Sequence, residues 1–325
     1  MTSMNRRSFV AIAGAAAALP GRAAATEYPA RPVQIVVPYA PGGTTDIMAR
    51  IIGQKLTTML GQSFVILNKP GAGGAIGSEF SAKQPADGYS LVMAVESSHA
   101  VNPNVYKERR YDPVADFAPI SNLADVPNVL VVNKDFPAKD FKGLVAELKA
   151  KPGFYNFGSS GIGGLSHLNG ELFQHVTGAK LQHVPFRGLG PALTDLIAGR
   201  ISVVLDNIPS SAAFIEAGSI RALAVASRER LRILPDVPTY GDLGLTAMNN
   251  PSWFGIAAPA GTPAPILEKL NGSVQAALKD PEVVAAIAKQ GAIAAPMSAE
   301  QFGRLIADQD RTWRKIVQDI GFEKL

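Results

Sequence analysis

Short runs of β-branched and aromatic residues alternate along the chain with stretches whose apolar positions recur every three to four residues. The runs at 33–37, 63–67, 90–95, 128–132, 155–158, 181–186, 201–206, 220–226 and 252–257 predict strands. After the first run, Ile47, Ile51, Ile52, Leu56, Met59 and Leu60 fall on one helical face, and Gly61 suits the C-terminal cap. After the run at 155–158, Leu165, Leu168, Leu172, Phe173 and Val176 do the same. Such alternation predicts an α/β protein with mostly parallel sheets, whose ligands bind where strands end and helices begin.

The joints themselves are unusual. Residues 38–46, "PYAPGGTTD", put two prolines, two glycines, two hydroxyls and a carboxylate between a strand and a helix expected to start near Ile47. Gly42 and Gly43 allow a tight bend close to a ligand. Thr44, Thr45 or Asp46 is expected to cap the helix, and the exposed N–H groups there favour an anion. The same design returns in "FGSSGIGGLSHLNGELFQHV" (157–176), and further polar joints hold Ser97 and Ser98 beside Glu96 and His99, Arg187-Gly188, and Asp206. Helix capping is an adequate reading of one such joint, but several in one chain are hard to explain by capping alone.

Composition narrows the chemistry. The 325-residue chain is 47% hydrophobic and 18% charged, enough for a sizeable core in one or two domains, and it has no cysteine, so disulfides and thiolate chemistry are excluded. The net charge of +4 is too small and dispersed for nucleic acid. Residues 1–25 start basic, continue apolar from Phe9 to Leu19 and end in small residues, which predicts an export signal cleaved near Ala25. Arg6-Arg7 with Ser8-Phe9 resembles a twin-arginine signal, from which Asn5 and Val10 depart. This segment holds three arginines and no acid, so its removal takes +4 to +1. The mature chain is expected in the periplasm, without membrane insertion, as a monomer.

Enzyme motifs fail one by one. "GSSGI" (158–162) has Ile162 where a nucleophile elbow needs glycine, and "GAGGAIG" (71–77) reaches its third glycine one residue late for a dinucleotide fingerprint. Ser98-His99 and Ser166-His167 are sequence neighbours, which is no evidence for a catalytic pair. His167, Glu171 and His175 recur every four residues opposite the Leu165/Leu172/Val176 stripe, which predicts a solvated face rather than a metal site. No cofactor is expected, and a hydrolase is the weakest alternative.

In order, "PYAPGGTTD", "NKPGAGG", "YDPVADFAPI", "NFGSSGIGGLSH", "HVPFRG", "DLIAGRISVVLDNIP" and "IRALAV" resemble the extracytoplasmic solute-binding proteins of tripartite tricarboxylate transporters, the Bug family. The resemblance runs from about Tyr28 to the C-terminus. It implies a two-lobed periplasmic-binding-protein fold with a ligand cleft between the lobes, residues 26–126 and 247–325 in one and 127–246 in the other. It also implies a small carboxylate ligand held by two facing loops, and large and small membrane subunits as partners. Carried onto this chain, one loop supplies Tyr39, Gly42, Gly43, Thr44, Thr45 and Asp46, and the other Ser159, Ser160, Gly163, Ser166 and His167. Ser97, Ser98, Phe186, Arg187, Gly188 and Asp206 would support them. Asp46 is expected to stabilise its loop and Asp206 to face the cleft. Arg187 would pair with a second carboxylate or lie along the rim, and Tyr39 and Phe186 would wall the ligand or simply pack. A sensory or orphan receptor would use the same cleft without a dedicated permease.

Overall fold

The computed structural model describes residues 28–325; the export signal and its cleavage near Ala25 lie outside the described residues. In chain order the elements are β1 (Val33–Val37), α1 (Thr44–Leu60), β2 (Phe64–Asn68), α2 (Ala75–Ala82), β3 (Ser90–Val95), α3 (Asn102–Val105), β4 (Phe117–Val126), β5 (Asn128–Asn133), α4 (Phe141–Ala150) and β6 (Asn156–Ser159). They continue with α5 (Leu165–Thr177), β7 (Gln182–Pro185), α6 (Leu189–Ile197), β8 (Val203–Asn207), α7 (Ile208–Glu216), β9 (Ile220–Ala226), β10 (Ser252–Pro259), α8 (Ala264–Ala277), α9 (Pro281–Lys289), β11 (Ile293–Ala294) and α10 (Ala299–Asp319).

Two sheets build two lobes. The first has the order β11-β4-β10-β3-β1-β2 and the second β7-β6-β8-β5-β9. The chain enters the second sheet from β4 to β5 across Pro127 and leaves it between β9 and β10, so the first lobe is assembled from both ends of the sequence. Helices cover both faces of each sheet. In β1, Val33, Ile35 and Val37 enter one core cluster and Val36 the opposite one, as pleating requires of a strand buried on both sides.

The α/β class and the two lobes are as the sequence predicts. The expectation of mostly parallel sheets is corrected: both are mixed, with four parallel strand pairings and five antiparallel. The physical cause is the crossing between lobes. β4 and β5 are nearly continuous, and β10 returns to run antiparallel between β3 and β4. Strand β4 escapes a reading by alternation because its pairing with β10 shifts register twice, and it buries Ser121 and Asn122 among its apolar residues. Among the described residues no helix is long and apolar enough to cross a membrane.

Candidate functional site at the interlobe cleft

Helices α1 and α5 start from opposite lobes toward one cleft. Their N-caps, Gly43 and Gly164, share φ −84° and ψ 167°, and neither glycine supplies a side-chain cap. The expectation that Thr44, Thr45 or Asp46 caps α1 is therefore corrected: these three residues are already helical. Helical geometry leaves the N–H groups of Thr44 and Thr45, and of Ser166, without an acceptor within their own helix. In each loop the glycine before the cap has positive φ, +85° at Gly42 and +75° at Gly163. Its N–H donates four residues ahead, from Gly42 to Asp46 Oδ2 at 3.2 Å and from Gly163 to His167 Nδ1 at 3.2 Å.

The cavity between these helix starts has about 510 Å³ of empty space, open solvent at its mouth included. Of the residues expected there, Tyr39, Gly43, Thr44, Thr45, Ser97, Ser160 and Ser166 line it. Two of them, Ser97 and Thr44, also bind across the lobes. The Leu165 N–H donates to Ser97 Oγ at 2.9 Å, and the Thr44 and Ser210 hydroxyls are 3.1 Å apart. Ser166 Oγ accepts from the Ser160 N–H at 2.8 Å and meets Ser160 Oγ at 3.0 Å. The Tyr39 hydroxyl donates to Gly73 O at 3.0 Å, and burial raises its pKa.

Glycine is required where the lobes touch by backbone. A Cβ on Gly73 would lie 2.7 Å from Gly164 N and Ile162 O, and one on Gly190 would lie 2.6 Å from Pro41 O. Two seams thus flank the cleft, residues 72–74 against 161–164 and residues 40–42 against 188–190. Gly188 belongs to the second, where Arg187 O accepts from the Ala40 N–H at 2.9 Å.

Other expected residues serve as scaffold. Asp46 turns to its own lobe and accepts from Arg50 Nε at 2.9 Å and from Asn68 at 3.0 Å. Burial alone would raise its pKa, but the hydrogen bonds from Arg50, Asn68 and Gly42 outweigh it and hold the carboxyl below its ordinary value. Ser98 bonds to His99 Nδ1 at 2.9 Å and Ser159 to His183 Nε2 at 2.6 Å, both away from the cavity. Phe186 packs in the second lobe's core, and the Arg187 side chain is exposed outside the cavity.

Asp206 is a correction. It is 1% exposed, and its carboxylate accepts from Ser210 and Ser211 rather than facing the cleft. Burial pushes its pKa up to about 6. The solvated face expected for His167 is also corrected. Its ring stacks on His183 at 3.9 Å between centroids and meets Phe322 edge-on at 5.5 Å, and burial lowers its pKa to about 3. Helical spacing locates His167 relative to its own apolar stripe. It carries no information about what β7 and the C-terminal tail lay over it.

The sequence reading missed Glu96, Asn128, Asn169, Asn207, Ser252 and Trp253 as lining residues. Glu96 adjoins Ser97 in a joint already marked by its polarity. Ser252 and Trp253 reach the cleft only because β10 returns beside β3.

Two helix starts, hydroxyls and glycine seams thus close around one cavity between the lobes. The model of the family "Tripartite tricarboxylate transporter family receptor" matches residues 48–322. The chain belongs to this family. Its members are solute-binding receptors. Protein BugT of Bordetella pertussis is 39% identical over 314 residues, covering 96% of this chain and 95% of that protein. Among solved structures, "R. palustris Rpa4515 with adipate" is 37% identical with a TM-score of 0.87, covering 90% of this chain and 98% of that one. MatC from Rhodopseudomonas palustris with bound malate is 31% identical with a TM-score of 0.85, covering 89% of this chain and 100% of that one.

Proposed function

We propose that this receptor captures a small carboxylate between the α1 and α5 starts, outside the cytoplasm, and delivers it to the large and small membrane subunits of a tripartite transporter. The observation that carries the reading is the matched pair of helix N-termini aimed from opposite lobes into one cavity. Hydrogen bonds to a charged group contribute about 1.5–3 kcal/mol each. A helix N-terminus adds about 0.3–1 kcal/mol, or about 2 when partly buried. A micromolar Kd needs about 8 kcal/mol. Three or four such donors reach that figure without a buried lysine, before ordering costs are subtracted. The relatives with adipate and malate support the ligand class.

In this reading the mature chain is a periplasmic monomer with no enzymatic activity, and it divides into residues 26–126 with 247–325 and residues 127–246. It closes by hinge motion near 123–128 and 244–250. Small-angle scattering with and without ligand checks the motion, and an unchanged radius of gyration would contradict it. The binding test is a thermal-shift screen of refolded, ligand-stripped protein against mono-, di- and tricarboxylates. At a hundredfold excess over Kd, binding stabilises by about 2.7 kcal/mol, a shift of several degrees. A flat screen on folded protein would refute the carboxylate reading. Delivery is tested separately, by co-purification with a multi-span membrane pair encoded beside it; failure there favours an orphan or sensory receptor.

A further inference from the structure

One amide in the cavity wall has no task in the fold. Asn169 lines the cavity and is half-buried, so its side chain is open to what the cavity holds. It stands three residues after Ser166 and four after Leu165 on α5, and all three line the same cavity, as neighbours on one helix face do. Asparagine is a weak helix former, because its amide competes for backbone groups and suits caps and turns better. Here the amide makes no hydrogen bond among the described residues, neither to backbone nor to a side chain.

Most other polar groups of the wall are already engaged. Ser97 accepts from the Leu165 N–H, Ser160 and Ser166 bond to each other, and Thr44 bonds to Ser210. Asn128 donates to Asn250 O at 2.9 Å, and its Oδ1 accepts from Asn207 Nδ2 at 2.5 Å and from the Ser252 hydroxyl at 2.9 Å. Among the lining amides, Asn169 is therefore the one with both its donor and its acceptor open. Its Cα lies about 4.5 Å along the helix axis beyond that of Ser166, and helical side chains lean back toward the N-terminus. The amide thus reaches a carboxylate seated at the Ser166 N–H and the carbon next to it.

We propose that Asn169 is a specificity-determining residue of this receptor and that its amide selects a 2-hydroxycarboxylate. This rests on the carboxylate reading above. A 2-hydroxy acid presents a donor, the hydroxyl, beside an acceptor, a carboxylate oxygen. The amide edge matches that pair: Oδ1 accepts from the hydroxyl while Nδ2 donates to the carboxylate. A 2-oxo acid turns a second acceptor against Oδ1. An unsubstituted acid leaves Oδ1 unpaired once the closed cleft has excluded water. A 2-ammonium group brings three N–H donors to one acceptor and leaves the others to be satisfied elsewhere.

The test is calorimetric titration with the unsubstituted mono- and diacids of four to six carbons and the 2-hydroxy, 3-hydroxy and 2-oxo derivatives of each. In the best-binding skeleton the 2-hydroxy acid should bind about tenfold tighter than its parent, with the 3-hydroxy and 2-oxo acids within about threefold of the parent. Asn169→Ala should shrink the 2-hydroxy preference below about threefold. Because Asn169 has no partner in the protein, the ligand-stripped variant should melt at or above the native temperature. Absence of a 2-hydroxy preference in every skeleton, a preference that survives Asn169→Ala, or a stripped variant that melts several degrees lower would overturn this inference alone. Binding of no acid in any series would overturn the carboxylate reading and this inference with it.

Discussion

The α1 start in the first lobe and the α5 start in the second have the same backbone but different support. Their N-cap dihedrals coincide, a positive-φ glycine precedes each cap, and each helix ends on a left-handed glycine, Gly61 at φ 69° and Gly178 at φ 70°. In both loops the glycine N–H needs an acceptor four residues on. The first lobe supplies a carboxylate, Asp46, tied to Arg50 and Asn68. The second supplies a neutral imidazole, His167, stacked on His183. The backbone geometry of the two helix starts is the same, while the side chains that hold it differ. They differ in what acid does to them.

The largest expected effect comes from forcing the seams apart. Gly190→Ala presses on the α1 loop and Gly73→Ala on the α5 loop. Each should weaken ligand binding by about 1–3 kcal/mol through overpacking where the lobes meet. Gly190→Ala is the cleaner probe, because Gly73 sits at φ +60° and its alanine adds backbone strain. Calorimetric affinity checks both, and a loss at one seam only would break the equivalence of the two helix starts.

Ser166→Ala removes the acceptor for the Ser160 N–H and a cavity hydroxyl. It should cost about 1–3 kcal/mol of binding. Thr44→Val, which breaks the hydroxyl bridge to Ser210, should cost about 1 kcal/mol. Equal affinities for native protein and both variants would refute the assignment of the gripping loops.

Acid should separate the two supports. His167 and His183 are lowered by burial to about 3 and about 4 from an ordinary 6.5. Below pH 6.5 the unfolded chain therefore takes up protons that the folded one refuses. The histidine contribution is full above 6.5 and falls as pH drops toward 3, outweighing the opposite contributions of Glu96 and Asp206, which burial raises to about 7 and about 6. Buried His99, lowered to about 3, adds to this slope from the first lobe. Asp46 has its folded value below 3.8, so its contribution is lost only below that pH. Tm measured from pH 7 to 4 should fall, and His167→Asn, whose amide oxygen can still accept from Gly163, should flatten the slope. An unchanged slope would contradict the neutral-imidazole account. The smallest effect is expected at exposed His175, whose alanine variant should bind within about 0.5 kcal/mol of the native protein.

Much of this architecture was legible from residue patterns. Strands β1, β3 and β9 begin and end where the β-branched runs do, and Gly61 terminates α1 as expected. The two loops at the helix starts were marked by glycine and hydroxyl density at strand ends. What escaped is non-local. The apolar stripe of α5 divides, with Leu165 and Leu168 entering a cluster of first-lobe residues and Phe173 entering the second lobe's core. Nothing in helical periodicity announces such a division. Asp206 looked like a cleft acid because it ends a strand, yet Ser210 and Ser211 of the following helix fold back on it. Glu96 and Trp253 meet only through the return of β10, a tertiary event invisible along the chain.

The central claim is that one carboxylate is held by both helix starts at once. The most direct measurement is the amide ¹⁵N–¹H spectrum of the ligand-stripped protein titrated with the tightest carboxylate of the thermal-shift screen. The account predicts that the amides of Thr44 or Thr45 and of Ser166 move downfield together along one saturating curve with one Kd. Movement confined to one helix start, or shifts only at residues remote from both, would contradict it.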